Sequence, residues 1–302
     1  MYYLAELLPF TRKLRIPLSR DQLMLLLAAV NEFFLGLDIY LAHNISGTIV
    51  PNEWIPIIFG PTAGTLLLLA GLLAVRRRDL AVFIANTIFV ASIVVGLLGA
   101  YFHVVRAILP TGPAGARVSL DLLVWAPPVL GPLTFSLVGL FGISAAWVED
   151  PPDSGSLALF GDHKVHLPYS KTSAYLFLVS LGSLATVISA VLDHARTQFQ
   201  NPWLWIPTVA GVFAVTAAAG LGAILKPSRA EIAVYSVGML AMLLTGVIGL
   251  WLHIQENLTA GGLIIEERFI RGAPFLAPLL FANMGTLGLI ALLDPQENKD
   301  EK

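Results

Sequence analysis

Cysteine is absent from this 302-residue chain. That excludes disulfides, thiolate metal sites, iron–sulfur clusters and covalently attached c-type haem, so any metal must rest on His, Asp, Glu or Met. Charge is scarce too. Only 13% of the residues are Asp, Glu, Lys or Arg, where a water-soluble domain carries roughly 25%. The formal net charge is −2, and without a basic excess the chain lacks the electrostatic footprint of a nucleic-acid binder. No stretch alternates with period two, which argues against a transmembrane β-barrel. There is no P-loop, no H-E-x-x-H and no convincing nucleophile–base pair, so the sequence leaves open whether the chain is an enzyme.

What is present is hydrophobic. Apolar residues make up 56% of the chain, and the mean hydropathy is +0.78. A helical membrane span needs about 20 apolar residues. Stretches 21–43, 54–75, 80–103, 121–148, 172–194, 204–225, 231–253 and 273–293 qualify. The fold class predicted is therefore an all-α integral membrane protein with eight transmembrane helices. The opening stretch from Met1 to Phe10 lacks the basic segment and cleavage site of a signal peptide, and reads as an interfacial segment. Lys and Arg placement sets the orientation. One side holds Arg12, Lys13, Arg15, Arg20, Arg76, Arg77, Arg78, Lys164, Lys171, Lys226, Arg229, Lys299 and Lys302; the other holds only Arg106, Arg117, Arg196, Arg268 and Arg271. The expectation is an inner (plasma) membrane protein, multi-pass, with both termini cytoplasmic.

The chain repeats itself. Gly96-Leu97-Leu98-Gly99-Ala100-Tyr101-Phe102-His103 returns as Gly246-Val247-Ile248-Gly249-Leu250-Trp251-Leu252-His253. His43 precedes Trp54-Ile55-Pro56 as His194 precedes Trp205-Ile206-Pro207, and Pro128/Pro132 recur as Pro274/Pro278. An even number of spans per unit makes the repeats parallel. The predicted organisation is a cytoplasmic or interfacial segment 1–20, a first four-helix repeat 21–150, a cytoplasmic linker 151–171, a second four-helix repeat 172–295 and a charged tail 296–302. Short loops favour antiparallel neighbours, hence two tandem four-helix bundles. The proline pairs near the start of each fourth span signal a kinked or late-starting helix.

His43, His103, His194 and His253 all fall at the outer ends of odd-numbered spans. First and third helices of an up-down bundle are diagonal neighbours, so His43 is placed to face His103, and His194 to face His253. Paired imidazoles are suitable metal ligands and one way to hold a haem edge-on. Gly96, Gly99, Gly246 and Gly249 share the histidine's helix face and admit either a planar macrocycle or a close helix. Arg106 and Arg196 are placed to neutralise propionates. The plain alternative is that an amphipathic imidazole is tolerated at a membrane interface without any ligand.

Glu32 and Asp38 lie on the first span, where an ionisable group is costly and marks a candidate proton path or quinol site. Glu32 has a quiet alternative as a hydrogen-bonded neutral acid. Asp193 points away from His194 and reads as an interface residue. His163 and His166 read as solvated linker residues.

Diagonal histidines in a membrane bundle resemble b-type cytochromes by analogy, but each half has one histidine layer, not two. The reading preferred is an electron-transfer subunit with up to two bis-histidine haem b sites near the outer face, working in a larger complex. Related ligands are (bacterio)chlorophyll or quinone, and partners are redox subunits docking on outer loops 104–120 and 254–272. The alternatives are a transporter or channel using Glu32 and Asp38, and a non-catalytic membrane anchor or scaffold.

Overall fold

A computed structural model describes residues 3–9, 11, 18–44, 47–108, 124–125, 127–159 and 163–293. Ten helices carry the described fold: α1 (Tyr3–Leu7), α2 (Arg20–Asn44), α3 (Trp54–Ala74), α4 (Arg78–Ile108), α5 (Leu130–Ala146), α6 (Lys171–Ala195), α7 (Trp205–Ala223), α8 (Arg229–Asn257), α9 (Glu266–Arg271) and α10 (Leu279–Ala291). Six of them, α2, α3, α4, α6, α7 and α8, are long and apolar enough to cross a membrane. The chain is a helical, multi-pass membrane protein. The tail 296–302, the basic residues Arg12, Lys13 and Arg15, and most of loop 104–120 lie outside the described residues.

Helix starts follow local chemistry. Ser19 and Gln22 exchange hydrogen bonds ahead of α2 (2.9 and 3.3 Å), and Ser228 and Glu231 form a capping box at α8, each satisfying two orphan backbone donors. Ser170 caps α6. Single 3-10 turns, Pro51–Glu53 and Pro202–Leu204, lead into α3 and α7. The two remaining apolar helices are shorter than the sequence predicts: α5 starts two residues after Pro128, and α10 starts directly after Pro278, the second proline of its pair. Helix α5 has 17 residues and α10 has 13, against predicted spans 121–148 and 273–293. Conversely α4 runs on past His103 to Ile108.

Helices α2, α3, α4 and α5 pack in a closed ring in which each touches the next and α5 returns to α2; α6, α7, α8 and α10 repeat that ring. The rings meet where α5 packs on α6 and α10 packs on α2. One apolar core, including Phe89, Phe135 and Val138, fills the first ring; another, including Tyr235, Met239 and Met242, fills the second and reaches across to Met24 and Phe141. The tightest junction is α4 with α5, and glycines allow it. A Cβ on Gly139 would lie 2.5 Å from the Phe89 carbonyl oxygen, and one on Gly285 of α10 2.5 Å from that of Met239. Gly139-x-x-Gly142 and Gly285-x-x-Gly288 are thus a second recurring glycine pair, close-packed in both rings.

The bundle has two distinguishable ends. At the linker end, residues 148–166 form a small antiparallel sheet of β1 (Val148–Glu149), β2 (Ser156–Ala158) and β3 (Lys164–His166), where the sequence predicts only a linker. Glu149 ties the sheet to α6 by accepting from the backbone of Gly155 (2.8 Å) and of Lys171 (2.9 Å). His163 and His166 are exposed here. Helix α1 is not merely interfacial: Tyr3 and Ala5 are buried, and Leu4 N–H donates to Leu292 O at 3.1 Å. At the opposite end, the histidine end, lie His43, His103, His194 and His253.

Candidate functional site at the histidine end

Helices α2 and α4 are not adjacent in their ring, yet their ends bring two imidazoles together. The ring centroids of His43 and His103 are 6.1 Å apart with an interplanar angle of 65°. His43 Nδ1 lies 2.8 Å from the carbonyl oxygen of Ile39 on its own helix, and His103 Nδ1 lies 2.9 Å from that of Pro128. A carbonyl oxygen can only accept, so Nδ1 is the protonated nitrogen in both, and in the neutral ring Nε2 carries the lone pair that can accept a hydrogen bond or bind a metal.

Glu53 completes the cluster, and the sequence reading missed it. Its Oε2 accepts from Val50 N–H at 2.9 Å. Its Oε1 lies 3.4 Å from Arg106 Nη1 and 3.8 Å from His43 Nε2. The signal was available: Glu three residues after Val50, just before an apolar run, is half of a capping box. Arg106 is largely exposed and reaches this carboxylate, so its first partner is Glu53.

The repeated glycines have a definite occupant. A Cβ on Gly96 would lie 2.6 Å from Ser136 N and 2.9 Å from Pro132 O; on Gly99, 2.7 Å from Pro132 Cβ. In the second ring, Gly246 would meet Pro278 O at 2.8 Å and Gly249 would meet Pro278 Cβ at 2.8 Å. The fourth helix of each ring fills the glycine face, so a planar macrocycle does not fit on it. The glycines, the prolines and the histidine are parts of one joint. In an α-helix the carbonyl of residue 128 would accept from the N–H of residue 132. Pro132 has no N–H, and His103 donates to Pro128 instead. His253 likewise donates to Pro274 O at 3.0 Å, a carbonyl that Pro278 cannot serve but that Ala277 N–H also reaches at 3.1 Å.

The second ring departs from the first beyond this joint. His194 and His253 are close enough to interact electrostatically. The ring beside His194, however, is Phe199 at 6.0 Å, itself stacked on Trp205 at 4.4 Å. His194 Nδ1 is buried without a hydrogen-bond partner among the described residues. Arg196 donates to Val124 O at 2.9 Å and lies 3.8 Å from Asp193, so it is engaged by protein. No carboxylate corresponds to Glu53, because Leu204 holds that position.

Glu32 is fully buried, its Oε1 2.6 Å from Ser92 Oγ, which is 2.9 Å from Phe135 O. Ser92 has one hydrogen to give. If it goes to the Phe135 carbonyl, both contacts are hydrogen bonds only when Glu32 supplies the other, as a neutral acid. Asp38 is not in this network; it is exposed on α2. Between the rings a hollow of about 10 Å³ is lined by residues including Asn31, Thr134 and Asn283.

The sequence reading also missed a buried charge cluster at the linker end. Arg20 and Lys171 are each 1% exposed. Asp21 accepts from Lys171 Nζ at 2.5 Å and from Tyr175 O–H at 2.9 Å, and Arg20 donates to Thr172 Oγ1 at 2.7 Å. Arg20 and Lys171 figured only in the orientation count, yet with Asp21, Thr172 and Tyr175 they fasten α2 of one ring to α6 of the other. Among the described residues no three His, Cys, Asp or Glu side chains lie close enough to hold a metal ion. Compared with known protein families, curated proteins and solved structures, the chain finds no match.

Proposed function

We propose that the chain is a subunit of a membrane electron-transfer assembly, with one centre at the histidine end of the first ring, where His43 and His103 would hold a tetrapyrrole, haem b first. The supporting observation is the 6.1 Å separation of the two rings. Two metal–imidazole bonds of about 2.0 Å each, with the ring radii, would separate two ligating imidazoles by about 6 Å centre to centre. Both Nδ1 atoms are held by backbone carbonyls, an outer-shell arrangement common for metal-bound histidine. Among the described residues no three His, Cys, Asp or Glu side chains form a group that could hold a bare metal ion, so a metal here would need ligands of its own, which a tetrapyrrole would bring. Such a group supplies one-electron chemistry, while Glu53 and Arg106 set the local charge.

The proposal narrows the sequence expectation to one site. The Phe199 ring against His194, and Leu204 in the position of Glu53, do not favour a second. (Bacterio)chlorophyll needs only one histidine and leaves the other unexplained; a quinone remains the natural electron donor or acceptor from the lipid phase. The transport reading gains nothing from Glu32, enclosed with Ser92, or from the small hollow between the rings. The two rings are proposed to descend from one duplicated unit, with α5 and α10 completing eight crossings through their proline turns. Basic residues crowd the linker end, including Arg76, Arg77, Arg78, Lys226 and Arg229, which makes that end cytoplasmic by the positive-inside rule.

A reduced-minus-oxidised absorption spectrum of the purified protein tests the central claim. Expected are a Soret shift and an α band, abolished in His43→Ala and in His103→Ala but kept in His194→Ala. A colourless, metal-free preparation that is natively folded would overturn it.

A further inference from the structure

The rings meet across two junctions that the sequence repeat makes comparable. In the register set by the recurring histidines and prolines, Gly182 of α6 corresponds to Asn31 of α2, and Leu137 of α5 to Asn283 of α10. The junction of α5 with α6 is closed: a Cβ on Gly182 would lie 2.7 Å from Leu137 Cδ2. At the junction of α10 with α2 both positions carry carboxamides, and the hollow of about 10 Å³ between the rings opens onto them. Thr134 of α5 lines it too, while the remaining wall is apolar, with Met24, Leu137 and Phe141 among its residues.

Depth makes these amides expensive. Asn31 stands eleven residues beyond the start of α2 at Arg20, about 16 Å along the helix. Asn283 stands eight residues before the end of α10 at Ala291, about 12 Å along it. Both of those helix ends lie at the linker side, so the amides sit well inside a hydrocarbon core about 30 Å thick. Neither side chain has a hydrogen-bond partner among the described residues. Polar groups held away from bulk water are costly unless something satisfies them.

We propose that the hollow binds one water molecule, shared by Asn31, Asn283 and Thr134, which fastens α2 of the first ring to α10 of the second. Size selects the occupant first: the volume admits a single water and nothing as large as a lipid or a substrate. Chemistry selects it next. The two carboxamides offer donors and acceptors, and Thr134 Oγ1, 3.5 Å from Leu130 O, keeps lone pairs to accept with. A buried water needs two to four such partners, and these side chains supply them. No carboxylate stands among the described lining residues, and neutral groups alone do not repay the desolvation of a buried cation. The inference is independent of which cofactor, if any, His43 and His103 hold.

Nuclear magnetic resonance of the isotope-labelled full-length chain in lipid nanodiscs tests the site. Asn31→Ala and Asn283→Ala assign the two side-chain amides. In the wild type both NH2 groups should show cross-peaks to a water that stays bound for longer than nanoseconds. Asn283→Leu fills the hollow, so the Asn31 cross-peak to water should be lost and the SDS unfolding midpoint should fall. Adding Asn31→Ala removes the stranded amide and writes the small–large pairing of the other junction into this one, so the midpoint should recover. Unchanged helical circular dichroism of Asn283→Leu shows that the fold is kept, and the wild-type spectrum decides the matter without that variant. Four outcomes overturn the proposal: a folded wild type with no water cross-peak at either amide, cross-peaks between the two amides in place of those to water, an Asn31 water cross-peak indifferent to Asn283→Leu, or shifts of both amides that require added sodium or potassium.

Discussion

Replacing His103 by alanine tests the joint that links the repeated glycines, histidines and prolines. Pro132 leaves the Pro128 carbonyl without its helical donor, and His103 Nδ1, at 2.9 Å, takes that place. Pro128 is exposed at the end of the bundle, so the full penalty for a buried orphan carbonyl does not apply. Interhelical hydrogen bonds in membrane proteins average about 0.6 kcal/mol in double-mutant cycles and reach about 1.7 kcal/mol. His103→Ala is expected to cost an amount in that range. Pro132→Ala keeps the Cβ that packs on Gly99 and restores an N–H for Pro128. In that background His103→Ala should become nearly neutral, which makes the coupling energy close to the whole bond. The second ring provides an internal control. Pro274 O also accepts from Ala277 N–H at 3.1 Å, so His253→Ala should cost less than His103→Ala. Reversible unfolding in mixed micelles by SDS titration, followed by helical circular dichroism, measures all four corners of the cycle. Additivity within about 0.3–0.5 kcal/mol, the level expected of independent sites, would refute the joint.

Three further outcomes follow from the packing. Asp21→Ala leaves Arg20 and Lys171 buried without their carboxylate, and breaking such a cluster costs about 3–5 kcal/mol; the SDS midpoint should drop far more than for Asp38→Asn, and equal drops would contradict the clamp. Ser92→Ala strips Glu32 of its partner at a fully buried site and should cost about 1–3 kcal/mol, whereas Glu32→Gln keeps a donor toward Ser92 and should stay within about 1 kcal/mol of wild type. A severe Glu32→Gln loss would instead mean that the carboxylate is ionised. Gly99→Val forces branched carbons into Pro132 and should cost about 1–3 kcal/mol by overpacking, with Gly249→Val behaving alike against Pro278; indifference of either would show that the contact is slack.

Most of the helical architecture was legible because membrane spans announce themselves by length and composition. The predicted starts of α2, α6 and α8 fall within two residues of the observed ones, since Ser19, Ser170 and Ser228 mark them by side-chain chemistry. The fourth helices were misjudged in length, because hydropathy runs smoothly through Pro128 and Pro274 while backbone hydrogen bonding does not. The facing of His43 and His103 could be inferred from connectivity alone. The capping position of Glu53, three residues after Val50, was legible, but its reach to His43 and Arg106 was not, since that depends on a 3-10 turn that folds it back toward α2 and α4. The charge cluster of Arg20, Asp21 and Lys171 was hidden for a different reason: terminal charges usually read as topology signals, and only the meeting of the two rings buries them. The linker strands are two or three residues long, too short for any periodicity to register.

One property of the histidine joint bears on how it behaves when acidity changes. The bond to the proline carbonyl is made through Nδ1–H, and an imidazolium retains that hydrogen. Taking up a proton at Nε2 therefore adds charge without breaking the contact. In the first ring, with nothing bound at Nε2, the contact of His103 with Pro128 O is kept and a positive charge is added near Glu53. The same side chain thus combines a fixed mechanical function with a variable electrical one.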